Sequence, residues 1–389
     1  MARIYLDHNA TTPVRPEAAD AVRAALEMPG NPSSIHEEGR AARKVVEAAR
    51  QAVAALVGAD PRCVTFTSGG TEALNLALTP DIEVSGDKRR FERLLVGAAE
   101  HPAVLAGHRF VSETLHTVPV DRDGRLDLGA LAAALAMAPG SRPMLALQAI
   151  NNETGTIQPV AEAAALVHAQ GGVVVVDAVQ AVGRVPVSIA ALGADFLALS
   201  GHKFGAPKGI GALVRASEGV HIPNRLVRGG GQEAGYRGGT ENVPGIAGLG
   251  AAATAAGRDL ARFAALGGLR DRLEAGLRAL RSDTVVFGAG APRVPNTTLF
   301  AVPGVPAELA LIALDLAGIA VSAGSACSSG KMKRSQVLDA MGVAADLTSG
   351  ALRVSSGWTT EAADIDRFLG AWADFLGGFS RSEGRVKAA

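Results

Sequence analysis

Cysteine is nearly absent: only Cys63 and Cys327 occur in 389 residues, so no disulfide framework organises the chain. That scarcity fits a reducing compartment. Net charge is also lacking, with 38 basic residues against 38 acidic ones. No basic face for nucleic acid and no block of like charge for a tail is therefore expected. Long apolar runs are missing too. VVVV at 173–176 is far too short to span a bilayer, and LALIALDLAGIAV at 309–321 carries Asp315 in its middle. The first residues, MARIYLDHNATTP, lack the basic segment and apolar core of a signal peptide, so a cytoplasmic location is the expectation.

What is present is a globular composition, 48% hydrophobic and 20% charged, with length enough for two domains. Residues 1–12 read as an extended arm closed by Pro13 and Pro16. Helical spacing follows at 16–28 and 37–57, separated by PGNPSSIH, where Ser33 or Ser34 is available as a helix cap. Strand-like runs recur at 63–68, 93–97, 116–120, 144–150, 173–177 and 195–199, each followed by a turn cluster or a helical pattern. Such alternation predicts a mostly parallel sheet covered by helices. Residues 228–240 are too glycine-dense for a regular element. A long helical pattern at 245–281 then leads to short strands at 284–287, 297–302 and 319–322 and helices at 309–317 and beyond 361, the pattern of a smaller α+β domain.

The strand ends carry the chemistry, because ligands in open α/β sheets collect there. DFLALSGHKFGAPKGIG at 195–211 puts Lys203 just past a buried strand. Alone, Lys203 reads as a solvated loop residue, a phosphate-binding charge or a Schiff-base nucleophile. SGGTE at 68–72 turns into a helix, so Gly70 and Thr71 could cradle an anion; no Gly-Lys-Ser/Thr follows, which excludes a nucleotide P-loop. Asp177 ends the run VVVVD and is expected to be buried, needing a cationic or hydrogen-bonding partner, with Gln180 close by. In NNETG, Asn151 and Asn152 read either as a turn or as ligand groups, and His101 in AAEHPAV as a flat partner for a ring or a structural histidine. Anion cradle, buried acid, amides and lysine together match one cofactor, pyridoxal phosphate. Cys327, flanked by small residues in SAGSACSSG, suits a mobile nucleophile, whereas Cys63 in CVTFT reads as a buried strand residue. Arg353 could clamp a carboxylate through paired bonds or form a surface ion pair.

The order of YLDHNATTP, GNPSSIH, TSGGTEALNLAL, EHPAV, NNETG, VDAVQAVG, SGHKFGAPKGIGAL, GGGQEAGYRGGTEN and GSACSSG resembles the NifS/IscS-type cysteine desulfurases from about residue 4 to about residue 375. The resemblance implies an α/β fold-type I pyridoxal-phosphate enzyme of the class V aminotransferase kind. It would have a mostly parallel seven-stranded sheet in a large domain over 13–255. A small α+β domain, from 1–12 and 256–389, would carry the cysteine loop. It further implies a homodimer that takes sulfur from L-cysteine, leaves L-alanine and holds the sulfur as a Cys327 persulfide for a scaffold or other acceptor in iron–sulfur cluster assembly. Carried over residue by residue, Lys203 would bond the cofactor and His101 would stack on its ring. Asp177 would pair with the ring nitrogen, and Asn152 and Gln180 would hold the ring oxygen. Gly70, Thr71, Ser200 and His202 would bind the phosphate, and Thr240 the phosphate of the neighbouring subunit. Arg353, assisted by Asn152, would bind the substrate carboxylate. Cys327 would be the sulfur acceptor and a transient ligand to a shared iron–sulfur cluster. Two positions depart from the pattern: Trp358 stands where a basic residue is common, and Ala234 where an arginine is common. Other fold-type I reactions on a small amino acid, such as selenocysteine lysis or transamination, and a non-catalytic sulfur carrier are the alternative readings.

Overall fold

The run Val173–Asp177 shows how this sheet is built. All five residues are buried, yet they divide between two cores: Val174 and Val176 pack on one face, Val173 and Val175 on the other. A strand covered on both sides needs no polar alternation, so the sequence is continuously apolar. Seven strands make up the sheet, most of them buried in the same way: β1 (Val64–Thr67), β2 (Arg93–Gly97), the more exposed edge strand β3 (Leu115–Val118), β4 (Pro143–Gln148), β5 (Val173–Asp177), β6 (Phe196–Ser200) and β7 (Gly211–Arg215). Their order is β1-β7-β6-β5-β4-β2-β3, parallel throughout except β7, which is antiparallel to both its neighbours. The computed structural model describes residues 3–324 and 334–387, with side chains through Phe379.

Helices α1 (Pro16–Leu26), α2 (Glu37–Val57) and α4 (Val243–Arg258) cover one face, and α3 (Gly70–Ala77) covers the other. Both α1 and α2 pack on α4, which is rich in Ala and Gly. A β-carbon at Gly250 would lie 2.6 Å from the Ala49 Cα of α2, so the two backbones approach as closely as a glycine permits. α2 ends in the left-handed Gly58, φ 66°, whose N–H donates to the Ala54 carbonyl.

The remaining chain forms a four-stranded antiparallel sheet from Val285–Val286, Thr297–Ala301, Leu352–Ser355 and Ser322–Ala323. Helix Ala362–Lys387 lies over it, with Trp372 edge-on to Phe300 at 5.4 Å between ring centroids. The amino-terminal arm joins this body: Ile4–Tyr5 pairs in parallel with Ile319–Ala320, and Ile4 and Leu6 enter its core. From there the arm crosses to the large sheet, where Thr12 N–H donates to the His202 carbonyl at 3.0 Å and Arg15 N–H to Gly205 at 2.9 Å.

Four expectations are corrected. The cap of α2 is His36, whose Nδ1 accepts from Gly39 N–H at 3.3 Å; Ser33 instead sits in a turn closed by Asn31 Oδ1. The pattern at 245–281 is three helices, because Asp259, bonded to Arg15 and Arg258, interrupts it before Leu260–Ala264 and Leu266–Leu280. β7 and a three-stranded sheet from Asp81–Val84, Asp87–Arg90 and Val220–His221 were not foreseen; β7 runs against the parallel strand–helix alternation, Asp87–Arg90 is charged throughout, and Val220–His221 is two residues long. Cys63 is buried as expected, but in the helical turn Pro61–Cys63 ahead of β1. Among the described residues no helix is long and apolar enough to cross a membrane.

Replacing Gly250 by Val forces α2 and α4 apart. The expected loss is ~1–3 kcal/mol, read as a lower urea midpoint with an unchanged slope.

Candidate active site

Five strands, β1, β2, β4, β5 and β6, point their carboxyl ends at one cavity of about 350 Å³. β1 delivers Gly70 and Thr71 at the start of α3, where the first N–H groups of a helix have no partner within it. A β-carbon on Gly70 would lie 2.6 Å from Val179 Cγ2, so the cradle needs glycine there. β2 delivers His101, β4 Gln148 and Asn152, β5 Asp177 and Gln180, and β6 Ser200, His202 and Lys203. Arg353 reaches in from the four-stranded sheet, and Asn9 and Ala10 from the arm. A larger cavity of about 940 Å³ lies elsewhere, walled by the ion pairs Arg50–Glu233 and Arg62–Glu218; size alone does not select the reactive one.

Lys203 is the chemically distinctive group. Burial, then the nearby charges of Arg184 and Arg353, lower its pKa to about 7, against the opposing pull of Asp177 and Asp7. Its Nζ donates to the Asn9 carbonyl at 2.6 Å and the Ala10 carbonyl at 2.9 Å. A neutral amine has two N–H bonds, so both are used and the lone pair remains free to react. Asp177 is buried at the cavity wall; burial raises its pKa, while the Val179 N–H at 2.9 Å, His101 and Lys203 act the other way. No arginine or lysine forms an ion pair with it among the described residues, so the arginine partner weighed from sequence is not there.

His101 caps the short helix Pro102–Leu105 by accepting from Ala103 N–H through Nδ1 at 3.1 Å, which assigns its proton to Nε2. Desolvation by surrounding protein lowers its pKa even though the residue retains exposed surface; Asp177 opposes this and Lys203 adds to it. His202 is held down to about 4, by burial first and then by Lys203, Arg184 and Lys208, and its Nδ1 lies 3.1 Å from Thr11 Oγ1.

The two asparagines separate cleanly. Asn151 closes the turn, its Oδ1 accepting from Glu153 and Thr154 N–H groups at 2.9 Å each, while Asn152 faces the cavity. Arg353 is buried rather than on the surface. Its Nη2 donates to Asp7 Oδ1 at 2.9 Å and its Nη1 to the Asn152 carbonyl at 3.0 Å, and its buried Nε–H has no partner. Arg353 itself lines the cavity, and its guanidinium suits an anion. Thr240 is exposed and does not line this cavity. Cys327 lies in 325–333, outside the described residues, and so does its suggested role as a cluster ligand. The flanking Ser335 donates from Oγ to Glu153 Oε2 at 2.6 Å, so the chain after that segment is tied one residue from Asn152. Burial raises the Glu153 carboxyl to about 7.

Sequence reasoning missed the arm residues Asn9 and Ala10, and it missed Arg184. Arg184 sits seven residues after Asp177 in a Gly-Arg-Val-Pro stretch that reads as a surface turn, yet it is buried behind Lys203. Glu100, beside His101, was also unremarked; burial holds its carboxyl well above the usual range although both oxygens accept from Gln148 N–H at 3.0 Å.

The chain matches the aminotransferase class-V family over residues 4–368. A cysteine desulfurase of Cereibacter sphaeroides is 46% identical, over 95% of this chain and 94% of the relative. Among solved structures, a NifS-like protein from Rickettsia africae superposes with a TM-score of 0.86 at 32% identity, covering 96% of this chain and 99% of that one. SspA in complex with cysteine superposes at 0.73 with 25% identity, covering 90% and 98%. The same architecture therefore recurs along nearly the whole length of these solved structures. The chain belongs to the aminotransferase class-V family and, within it, to the NifS/IscS-type cysteine desulfurases.

Proposed function

We propose that this cysteine desulfurase holds pyridoxal 5′-phosphate on Lys203, binds L-cysteine through Arg353 and passes the sulfur to Cys327. The observation that carries the reading is one cavity that brings Lys203, its amine lowered to about 7, together with the buried carboxylate of Asp177, which forms no ion pair with an arginine or lysine among the described residues. Those two groups fit the cofactor's aldehyde and its ring nitrogen, and the cavity of about 350 Å³ is in the range that takes a small cofactor. Gly70, Thr71, Ser200 and His202 would hold its phosphate, Asn152 and Gln180 its ring oxygen, and His101 would stack on the ring. Thr240, exposed on its own chain, would serve the phosphate of a second copy, which makes the functional unit a homodimer. Residues 13–255 would form the cofactor-binding domain, and 1–12 with 256–389 the smaller one. A cytoplasmic setting and an iron–sulfur scaffold or other sulfur-acceptor protein complete the proposal.

When bound, the cofactor supplies an electron sink for the carbanion at the substrate Cα. The chain's own residues do the rest. The Arg353 guanidinium, which lines the cavity, orients the substrate carboxylate. Lys203 Nζ, with its free lone pair, takes the Cα proton. The Cys327 thiolate attacks the substrate sulfur: an S–S bond forms as the Cβ–S bond breaks, and the electron pair stays on the carbon skeleton. Protonation of that carbon gives alanine, and the enzyme keeps the persulfide.

Two tests follow from these roles. Lys203→Ala is expected to cut alanine release by on the order of 10²–10⁴-fold, and Cys327→Ala to abolish it; full turnover in the Cys327 variant would leave transamination or another reaction in its place. Arg353→Ala removes charge-assisted bonds to the carboxylate, so steady-state kinetics should show KM for cysteine rising roughly 10–100-fold. An unchanged KM would assign carboxylate binding to another group.

A further inference from the structure

Arg184 has no assigned role in the reaction, and its surroundings are unusual for a buried arginine. All five of its N–H bonds are satisfied, every one by a neutral oxygen. Nη1 donates to Asn9 Oδ1 at 2.7 Å and to Gln180 Oε1; Nη2 donates to the His8 carbonyl at 2.9 Å and the Lys203 carbonyl at 3.2 Å; Nε donates to that same Lys203 carbonyl at 3.4 Å. The residue is 3% exposed, and no carboxylate pairs with it among the described residues. A buried charge without a counter-ion costs several kcal/mol relative to water. Here that cation is set against the backbone of the reactive lysine.

We propose that Arg184 is a positioning residue for the desulfurase reaction, locking the Gln180 amide and the Lys203 backbone in place and disfavouring a second positive charge at Lys203 Nζ. The lock is geometric. Because Gln180 Oε1 accepts from Arg184, its Nε2 must be the face that donates, here to the Asn9 carbonyl at 3.1 Å. Gln180 is thereby presented to the cavity as a donor, as a ring oxygen requires; this part rests on the cofactor reading above. The electrostatic part follows from the charges around Lys203. Arg184 stands behind it and Arg353 comes from the four-stranded sheet, while Asp177 on β5 and Asp7 on the arm oppose them; His101 and His202 also flank it, but burial lowers both, so neither adds a charge at neutral pH. Arg353 is matched by Asp7 at 2.9 Å, whereas Arg184 is matched by no anion, so its field is the less neutralised of the two. Burial first, then Arg353, lower the Arg184 pKa only to about 9, so it remains a cation at neutral pH.

The test compares wild type, Arg184→Met and Arg184→Lys as full-length, cofactor-free protein. The pH midpoint of Lys203 acetylation by acetic anhydride is read by peptide mass spectrometry, and pyridoxal phosphate affinity by equilibrium dialysis. In Arg184→Met the midpoint should rise by about one unit or more, a tenfold or larger drop in neutral amine at pH 7. Arg184→Lys keeps a charge and loses the fork, so its midpoint should stay below that of Arg184→Met while affinity falls at least about fivefold. An unchanged midpoint in Arg184→Met overturns the electrostatic assignment; unchanged affinity in Arg184→Lys overturns the positioning one, and this variant decides the case if Arg184→Met does not fold. Borohydride reduction of the loaded wild type checks the underlying reading separately. An adduct on a residue other than Lys203 would remove that reading and leave the midpoint comparison standing.

Discussion

The site depends on one electrostatic constraint: Lys203 and Arg353 line one cavity with Arg184 buried behind Lys203, and the carboxylates of Asp177 and Asp7 oppose the two arginines at the lysine amine. In water such charges would be screened and each lysine would titrate near 10.4. Inside the protein, desolvation and mutual repulsion act together, and the group that yields is the one able to lose a proton. An arginine does so only with great difficulty, so Lys203 becomes the neutral partner. The reactivity of the lysine is thus a property of its neighbours as much as of its own position.

The fold makes that crowding possible by drawing on distant parts of the chain. Parallel strands place Gly70, His101, Asn152, Asp177 and Lys203 at one edge of the sheet, because parallel connection returns every strand end to the same side. The arm then closes the edge. Its carbonyls at His8, Asn9 and Ala10 receive Arg184 and Lys203, and its Asp7 receives Arg353 from the second sheet. Residues 7–12 therefore carry no obvious catalytic group, yet touch nearly every charged one. Trp358, a departure from the family pattern, helps hold this arm: its Nε1 donates to the Pro13 carbonyl at 3.1 Å, and Arg15 lies over its ring at 5.3 Å. Ala234 departs in another way, taking φ 51° beside Glu233 at φ 50°, a conformation usually left to glycine.

What was legible in the sequence is what a local pattern determines. The run VVVVD announces a doubly covered strand ending in a buried acid, and Gly-Gly-Thr after a strand announces an exposed helix start. Lys203 became readable only in company, since a single lysine after a strand has no signature of burial. Asn151 and Asn152 are indistinguishable as letters; the turn that uses one and frees the other is a three-dimensional fact. Arg184 was invisible because a lone arginine between Gly and Val-Pro reads as solvated, and its burial depends on an arm some 175 residues earlier in the chain. The break at Asp259 was hidden for the same reason, as its partner Arg15 is remote in sequence. β7 escaped notice because it runs against the parallel alternation that revealed its neighbours.

The central claim is that sulfur abstracted at the Lys203 pocket ends on Cys327, and peptide mass spectrometry of the holoenzyme after one equivalent of L-cysteine tests it most directly. The Cys327 peptide should gain the mass of one sulfur atom while one equivalent of alanine is released, and a reductant should reverse the gain. Alanine released with Cys327 unmodified and free sulfide in solution, or a sulfur found on Cys63 instead, would contradict it.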